Sequence, residues 1–419
     1  MNETTTPYDV AVIGAGPIGS AAARHAARHG ARVVLVGPQE PDDPTVHDGT
    51  WAGYYDQGRL SHVLEVPLVT ALLAMRSRRR FAALTDATGV DFLTPTHSVT
   101  VLPSSQQPGT SSEWFDIDVL AANAADLGVP VEHLDEAALR AAYPTITVRA
   151  GHHAIRERGA HILNPRALVH AALLDAVAHG VDVVRDEVVA RHRTEGLTEL
   201  VTRSGRRVGA RAVVVATGAA TNATGLLARP LVTPVFGASV VLAEVDGPNA
   251  LDIPTMMMLW EGEGPRFGGI VMAPVEYPDG RWYLKVSGSR LLEHPLDTRE
   301  EITAWVRSGG DPGDIDEART LLAELLPGTE FRSFRVRPCL VCASATDRPY
   351  IDWADEGHRD TVVALEGERG AMAGDEIGRL AAMMALEGRW TDPLPHENVK
   401  AVWGPPDWST RDYLTGVGR

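Results

Sequence analysis

Cysteine is scarce: Cys339 and Cys342 are the two thiols in 419 residues. So few argue against a disulfide scaffold and make the cytoplasm the expected compartment. Long apolar runs are missing too. None reaches the ~20 residues of a membrane-spanning helix, and the opening Met-Asn-Glu-Thr-Thr-Thr does not read as a signal peptide. Positive charge is short, with 39 Lys and Arg against 55 Asp and Glu and a formal net charge of −16. That balance disfavours nucleic-acid and anionic-membrane partners and fits a neutral or cationic substrate better than an acidic one. The chain shows no internal repeat and no low-complexity tract. It does have apolar bulk, 44% of its residues, enough for a large core and an expected division into two domains.

The rest of the chain is organised around Tyr8-Asp-Val-Ala-Val-Ile-Gly-Ala-Gly-Pro-Ile-Gly-Ser20. The apolar run ending at Ile13 reads as a buried strand, and the Ala-rich segment from Ser20 to His29 reads as a helix. Between them, Gly14, Gly16 and Gly19, with Pro17 and Ile18, spell G-x-G-x-x-G. Gly14 allows the tight turn, Gly16 lets the backbone approach a pyrophosphate, and Gly19 lets helix pack on strand. Phosphates would then lie at the helix N-terminus, where free N–H groups favour anions. A second strand, Arg32-Val-Val-Leu-Val36, completes the βαβ context. One element of the fingerprint is absent. The acidic residue that holds the ribose hydroxyls would fall at Gly37, and Glu40 is the nearest carboxylate.

A polar loop from Gly37 to Gly58 follows, carrying His47, Asp48, Trp51, Tyr54, Tyr55 and Asp56. Long loops directly after such a unit often carry function. Val66 to Leu84 patterns as a helix and His97 to Leu102 as a strand. A helix from Asn164 to near Gly180 and a strand Val181–Val184 return to the βαβ rhythm. Arg211 to Ala219 is an apolar strand ending in Ala-Thr-Gly. Arg281 to Gly288 reads as a strand, as does Thr361 to Leu365, and Gly370 to Leu386 as a helix.

At this point the chain resembles the D-amino-acid-oxidase-like FAD-dependent amine oxidases, in their sarcosine oxidase and N-methyltryptophan oxidase branch. The fingerprint is the first match. The second is Gln57-Gly-Arg59-Leu-Ser-His62, similar to D-T-R-x-x-R. Arg59 falls on a flavin-side arginine, and His62 on the arginine that grips a substrate carboxylate. The third is Trp282-Tyr-Leu-Lys285-Val-Ser-Gly-Ser289, where Lys285 lands on the oxygen-activating lysine and Ser289 replaces a histidine. The fourth is Arg337 to Asp352, where Cys339 aligns with a cysteine that attaches FAD covalently. Read without the resemblance, Cys339 and Cys342 are equally well two buried core thiols. The fifth is Gly367 to Leu380, where Gly370 and Gly378 align with family glycines, with Ala371 beside them, and Met372 replaces a lysine of the carboxylate clamp. Of the acids in this segment, Glu366 and Glu368 are the ones placed to reach a pocket. Two generic matches add Val189 near adenine and Thr217-Gly218 beside the FAD.

The resemblance implies an α/β fold: a FAD-binding Rossmann-like domain with an inserted α+β substrate domain built on an antiparallel sheet. The expected FAD-binding segments are 1–84, 161–230 and 336–419, with 85–160 and 231–335 in the substrate domain. It implies oxidation of a C–N bond to an imine with O2 reduced to H2O2, on a small-molecule amine, by a monomer or small homo-oligomer. Lys285 and Arg59 are the expected catalytic residues, and Tyr55, His62, Glu368 and Met372 the expected substrate contacts. Loss of both clamp cations, at His62 and Met372, predicts a substrate whose carboxylate is absent or masked, as in a natural-product tailoring step. Sarcosine or glycine oxidation, electron transfer to a carrier, and a non-catalytic flavin-binding subunit are the competing readings.

Overall fold

The computed structural model describes residues 6–104, 116–194, 196–261, 266–288 and 290–415, so Ser289 lies outside the described residues. Its first sheet runs in the order Tyr350–Trp353, Thr361–Leu365, Arg207–Val215, Tyr8–Ile13, Val33–Val36 and Asp182–Val184. The inner pairings are parallel, with Ile13 beside Val215 on one side and Val36 on the other. Runs such as Val33–Val36 and Thr361–Leu365 are buried at every position because both faces are covered, and all but Thr361 are apolar. Val10 and Val12 pack against the helices Pro17–Arg28 and Gly370–Glu387, whereas Ala11 and Ile13 point to the opposite core. The hairpin Val188–Thr194 and Leu197–Thr202 joins this sheet through Arg207–Val215.

The second sheet runs Phe334–Cys342, Val235–Val245, Trp282–Ser287, Phe267–Glu276, Thr255–Trp260, Leu93–Pro103, His152–Leu163 and Arg59–Ser61. Its pairings are antiparallel except where Thr255–Trp260 lies parallel to Leu93–Pro103. The architecture is thus a Rossmann-like layer with an antiparallel sheet inserted between its segments. The position 336, expected to reopen the nucleotide-binding part, falls inside Phe334–Cys342, which pairs with Val235–Val245 in the second sheet. Arg59–Ser61, within 1–84, also pairs there, with His152–Leu163.

Local signals set the helix ends. Leu68–Thr88 stops at Gly89, whose φ of 69° an L side chain adopts at a cost. Asn164 caps Pro165–Ala178 by accepting from the Ala167 N–H. Among the described residues, no helix is long and apolar enough to cross a membrane.

Helices Pro17–Arg28 and Gly370–Glu387 meet backbone to backbone at Gly378. A Cβ there would lie 2.4 Å from the Ile18 carbonyl oxygen and 2.7 Å from the Ala22 nitrogen. Asp375 is buried beside this crossing and accepts from Arg24 and, at 2.6 Å, from Arg80. Glu376 is likewise held by Arg80 and Arg379. Gly378→Ala should therefore push the helices apart and cost about 1–3 kcal/mol, the usual penalty of overpacking. Urea unfolding followed by circular dichroism measures it. An unchanged midpoint would mean that the helices can part freely.

Candidate active site

A cavity of about 940 Å³ opens along the fingerprint and runs beneath the second sheet. At its nucleotide end, Gly14 sits at φ 104°, and a Cβ on it would lie 2.2 Å from the Ala216 oxygen. A Cβ on Gly19 would lie 1.8 Å from the Gly14 oxygen, so helix and strand touch there. Gly16 keeps the backbone bare at the start of Pro17–Arg28, and no side chain caps that helix. Its first N–H groups are left for an anion at the cavity wall, which Gly14, Gly16, Pro17, Ile18, Thr217 and Gly218 all line. This bare, glycine-walled cradle fits the pyrophosphate of a dinucleotide.

The missing ribose acid has a steric reason. A Cβ on Gly37 would lie 2.5 Å from the Ala15 nitrogen, so no side chain fits. Glu40 is not among the residues that line the cavity, and Arg166 holds its carboxylate through two hydrogen bonds of 2.7 and 2.5 Å. Val189 is 46% exposed and points away, while its neighbour Val188 is buried and lines the cavity with Asp186 and Glu187.

At the other end Asp56 is the centre of a buried polar cluster. Lys285, 4% exposed, donates to Asp56 Oδ2 at 2.6 Å and to the Gly58 carbonyl at 2.7 Å. Tyr277 donates to Asp56 Oδ1 at 2.6 Å, and Arg59 pairs with the same carboxylate while donating to the Gly53 carbonyl at 2.7 Å. Burial works against the Asp56 charge, but Lys285 and Arg59 hold its carboxyl well below the usual range. Burial and the nearby Arg59 pull Lys285 below its ordinary value, and Asp56 opposes them. The structure thus brings together Lys285 and Arg59 from distant segments. Asp56, their common partner, was noted in the sequence merely as one polar residue of a loop.

His62 lines the same cavity, held by Ser98 at 2.9 Å and Glu65 at 3.1 Å. Glu65 also accepts from Arg369 at 2.7 Å, and Arg369 donates to Asp347 at 2.7 Å. Glu366 and Glu368 line the cavity beside this chain of pairs. Burial pushes Glu366 up to about 7 and Glu368 up to about 8, against the pull of Arg369. Gly370, Ala371 and Met372 form the first turn of Gly370–Glu387 at the wall, another helix start without a side-chain cap. Tyr55 is buried in the wall, with Trp51 edge-on at 5.0 Å and Tyr54 at 4.7 Å.

Cys339 and Cys342 both lie on Phe334–Cys342 and are free thiols. Cys339 is half-buried at the cavity, its Sγ 3.7 Å from the Arg59 guanidinium. Cys342 is buried, and burial with the charges of Glu366 and Glu368 pushes its thiol far up.

A glycine-walled dinucleotide cradle that opens onto buried cations beneath an antiparallel sheet defines a flavin-dependent oxidoreductase. The chain belongs to the D-amino-acid-oxidase-like family: the family model described as FAD dependent oxidoreductase matches residues 9–384. Monomeric sarcosine oxidase of Streptomyces avermitilis is 30% identical over 185 residues, which is 44% of this chain and 44% of that protein. The chain therefore aligns with under half the length of this curated relative. NikD in its open form, described as an unusual amino acid oxidase essential for nikkomycin biosynthesis, superposes with a TM-score of 0.75. It is 17% identical, with 95% of this chain and 98% of NikD covered. Glycine oxidase from Bacillus cereus gives 0.66 at 18% identity, covering 94% and 98%. At these identities the structural likeness is one of fold.

Proposed function

We propose that the protein oxidises the C–N bond of an amine whose neighbouring carboxylate is absent or masked, giving an imine, with O2 reduced to H2O2. Bound FAD supplies the acceptor for the hydride that leaves the carbon beside an uncharged amine nitrogen. The observation that carries the substrate reading is the charge around His62. Each cation lining the cavity is already paired with a carboxylate of this chain: Lys285 and Arg59 with Asp56, Arg369 with Glu65 and Asp347, and Arg290 with Glu293 and Asp314. The wall formed by Glu65, Glu366 and Glu368 therefore offers a substrate carboxylate repulsion in place of a clamp, and would attract a substrate ammonium. Met257, Leu259, Ile270 and Met272 face the cavity from the second sheet and suit an apolar arm on the substrate. Lys285 and Arg59 share one carboxylate, so net positive charge is left at their end. That charge would stabilise the negative charge that develops on oxygen. Anaerobic bleaching of the bound flavin by an amine, compared with its carboxylate-bearing analogue, tests the substrate class.

Cys339 is the thiol suited to a covalent tether, because it is half-buried, lines the cavity and lies 3.7 Å from the Arg59 guanidinium, whereas Cys342 is buried. The flavin should stay on the polypeptide after acid precipitation and fluoresce in a denaturing gel. Cys339→Ser should release it and Cys342→Ser should not. Free FAD in the wild-type supernatant would exclude the tether.

A further inference from the structure

We infer that Asp56 is a positioning residue that keeps Lys285 protonated and fixed at the oxygen-reacting end of the cavity. The inference rests on the reading of Lys285 as the cation that serves O2. A buried ammonium cannot be held by solvent, so its charge must be supported by the chain. The supports are few. Lys285 Nζ donates to Asp56 Oδ2 and to the Gly58 carbonyl, and Asp56 is the anion among them. The other charged or titratable groups facing Lys285 are Arg59, Tyr277 and Cys339. Arg59 is a second cation that disfavours the ammonium, and Tyr277 spends its proton on Asp56.

The arrangement also fixes position. Asp56 takes Tyr277 on Oδ1 and Lys285 on Oδ2, so each oxygen has a fixed donor and the carboxylate cannot rotate without breaking a bond. Asp56 is held in turn by the short Asp56-to-Arg59 loop, whose backbone oxygen at Gly58 accepts from both cations. Asp56→Asn keeps this shape and removes the charge. Lys285 is then left between burial and Arg59 without its carboxylate partner, and it loses its proton at a lower pH.

The experiment mixes anaerobically reduced holoenzyme with oxygen in a stopped-flow instrument from about pH 6 to about pH 9, the span over which a depressed lysine titrates. In the wild type the reoxidation rate should hold across this range. In Asp56→Asn it should fall as pH rises, by up to about tenfold per pH unit above the new pKa, the slope of one proton. Asp56→Glu retains the anion and should restore the flat profile, which separates charge support from general damage to the fold. Lys285→Met should be slow at every pH, and adding Asp56→Asn to it should change nothing further. If Lys285→Met reoxidises like the wild type, the oxygen reading fails and this inference falls with it. If Lys285→Met is slow but Asp56→Asn stays fast and flat, the reading of Lys285 stands and the role of Asp56 is wrong.

Discussion

Lys285→Met should leave reduction of the flavin by substrate nearly unchanged while slowing reoxidation by oxygen about 10²–10³-fold, the effect of losing one preorganised charge in a dry site. The first electron passed to oxygen creates an anion where water is excluded, and a fixed ammonium stabilises it without reorganisation. Lys285 is suited to this because it is 4% exposed and rigidly held by Asp56 and the Gly58 carbonyl. Methionine keeps much of the stem's volume beside Leu242 and Met272, the residues opposite it on the adjacent strands. Stopped-flow times the two half-reactions separately. An unchanged oxygen reaction would remove Lys285 from the mechanism, and a slowed reductive half would move it to the substrate.

The parts of the fold legible in the sequence are those whose causes are local. Gly14 and Gly19 constrain one another within one turn, so their spacing announces the contact later seen between the Gly14 oxygen and the Gly19 position. The runs Val10 to Ile13 and Val362 to Leu365 within their strands are equally plain, because burial on both faces writes an unbroken apolar stretch. Lys285 stood out through its apolar neighbours. Its rarity is a further signal in the sequence: the chain has two lysines, Lys285 and Lys400, against 39 Lys and Arg together. Long-range causes left no such trace. The reason for Gly37 is the backbone of Ala15, and the partner of Glu40 is Arg166, 126 residues away. Asp56 meets Lys285 across 229 residues, so its loop reads as polar and nothing more. Strand alternation turns the Val188 side chain inward and that of Val189 to solvent, so Val189 has its backbone to offer an adenine.

The second large effect concerns the substrate. For a free amino acid and its amide, kcat/KM should favour the amide by about two to four orders of magnitude. That corresponds to the roughly 3–5 kcal/mol cost of a buried charge left without its partner. His62 stands where a forked arginine would grip both carboxylate oxygens, and its ring nitrogens are occupied by Ser98 and Glu65. Met372 adds no charge, and Arg369 is committed to Glu65 and Asp347. A substrate carboxylate would therefore have to displace an existing ion pair and lie beside Glu366 and Glu368 as well. The preference should also depend on pH in a definite direction. Glu366 and Glu368 are neutral below their raised values of about 7 and about 8 and charged above them. Repulsion of the free acid should thus grow, and discrimination widen, as pH rises through that window, in which Arg369, held well above its usual value, and Glu65, held below its own, keep their charges. Glu368→Gln should flatten the upper part of the change. A strong preference for the free carboxylate, abolished by Arg59→Ala, would show that Arg59 has taken over the clamp and would overturn the substrate class.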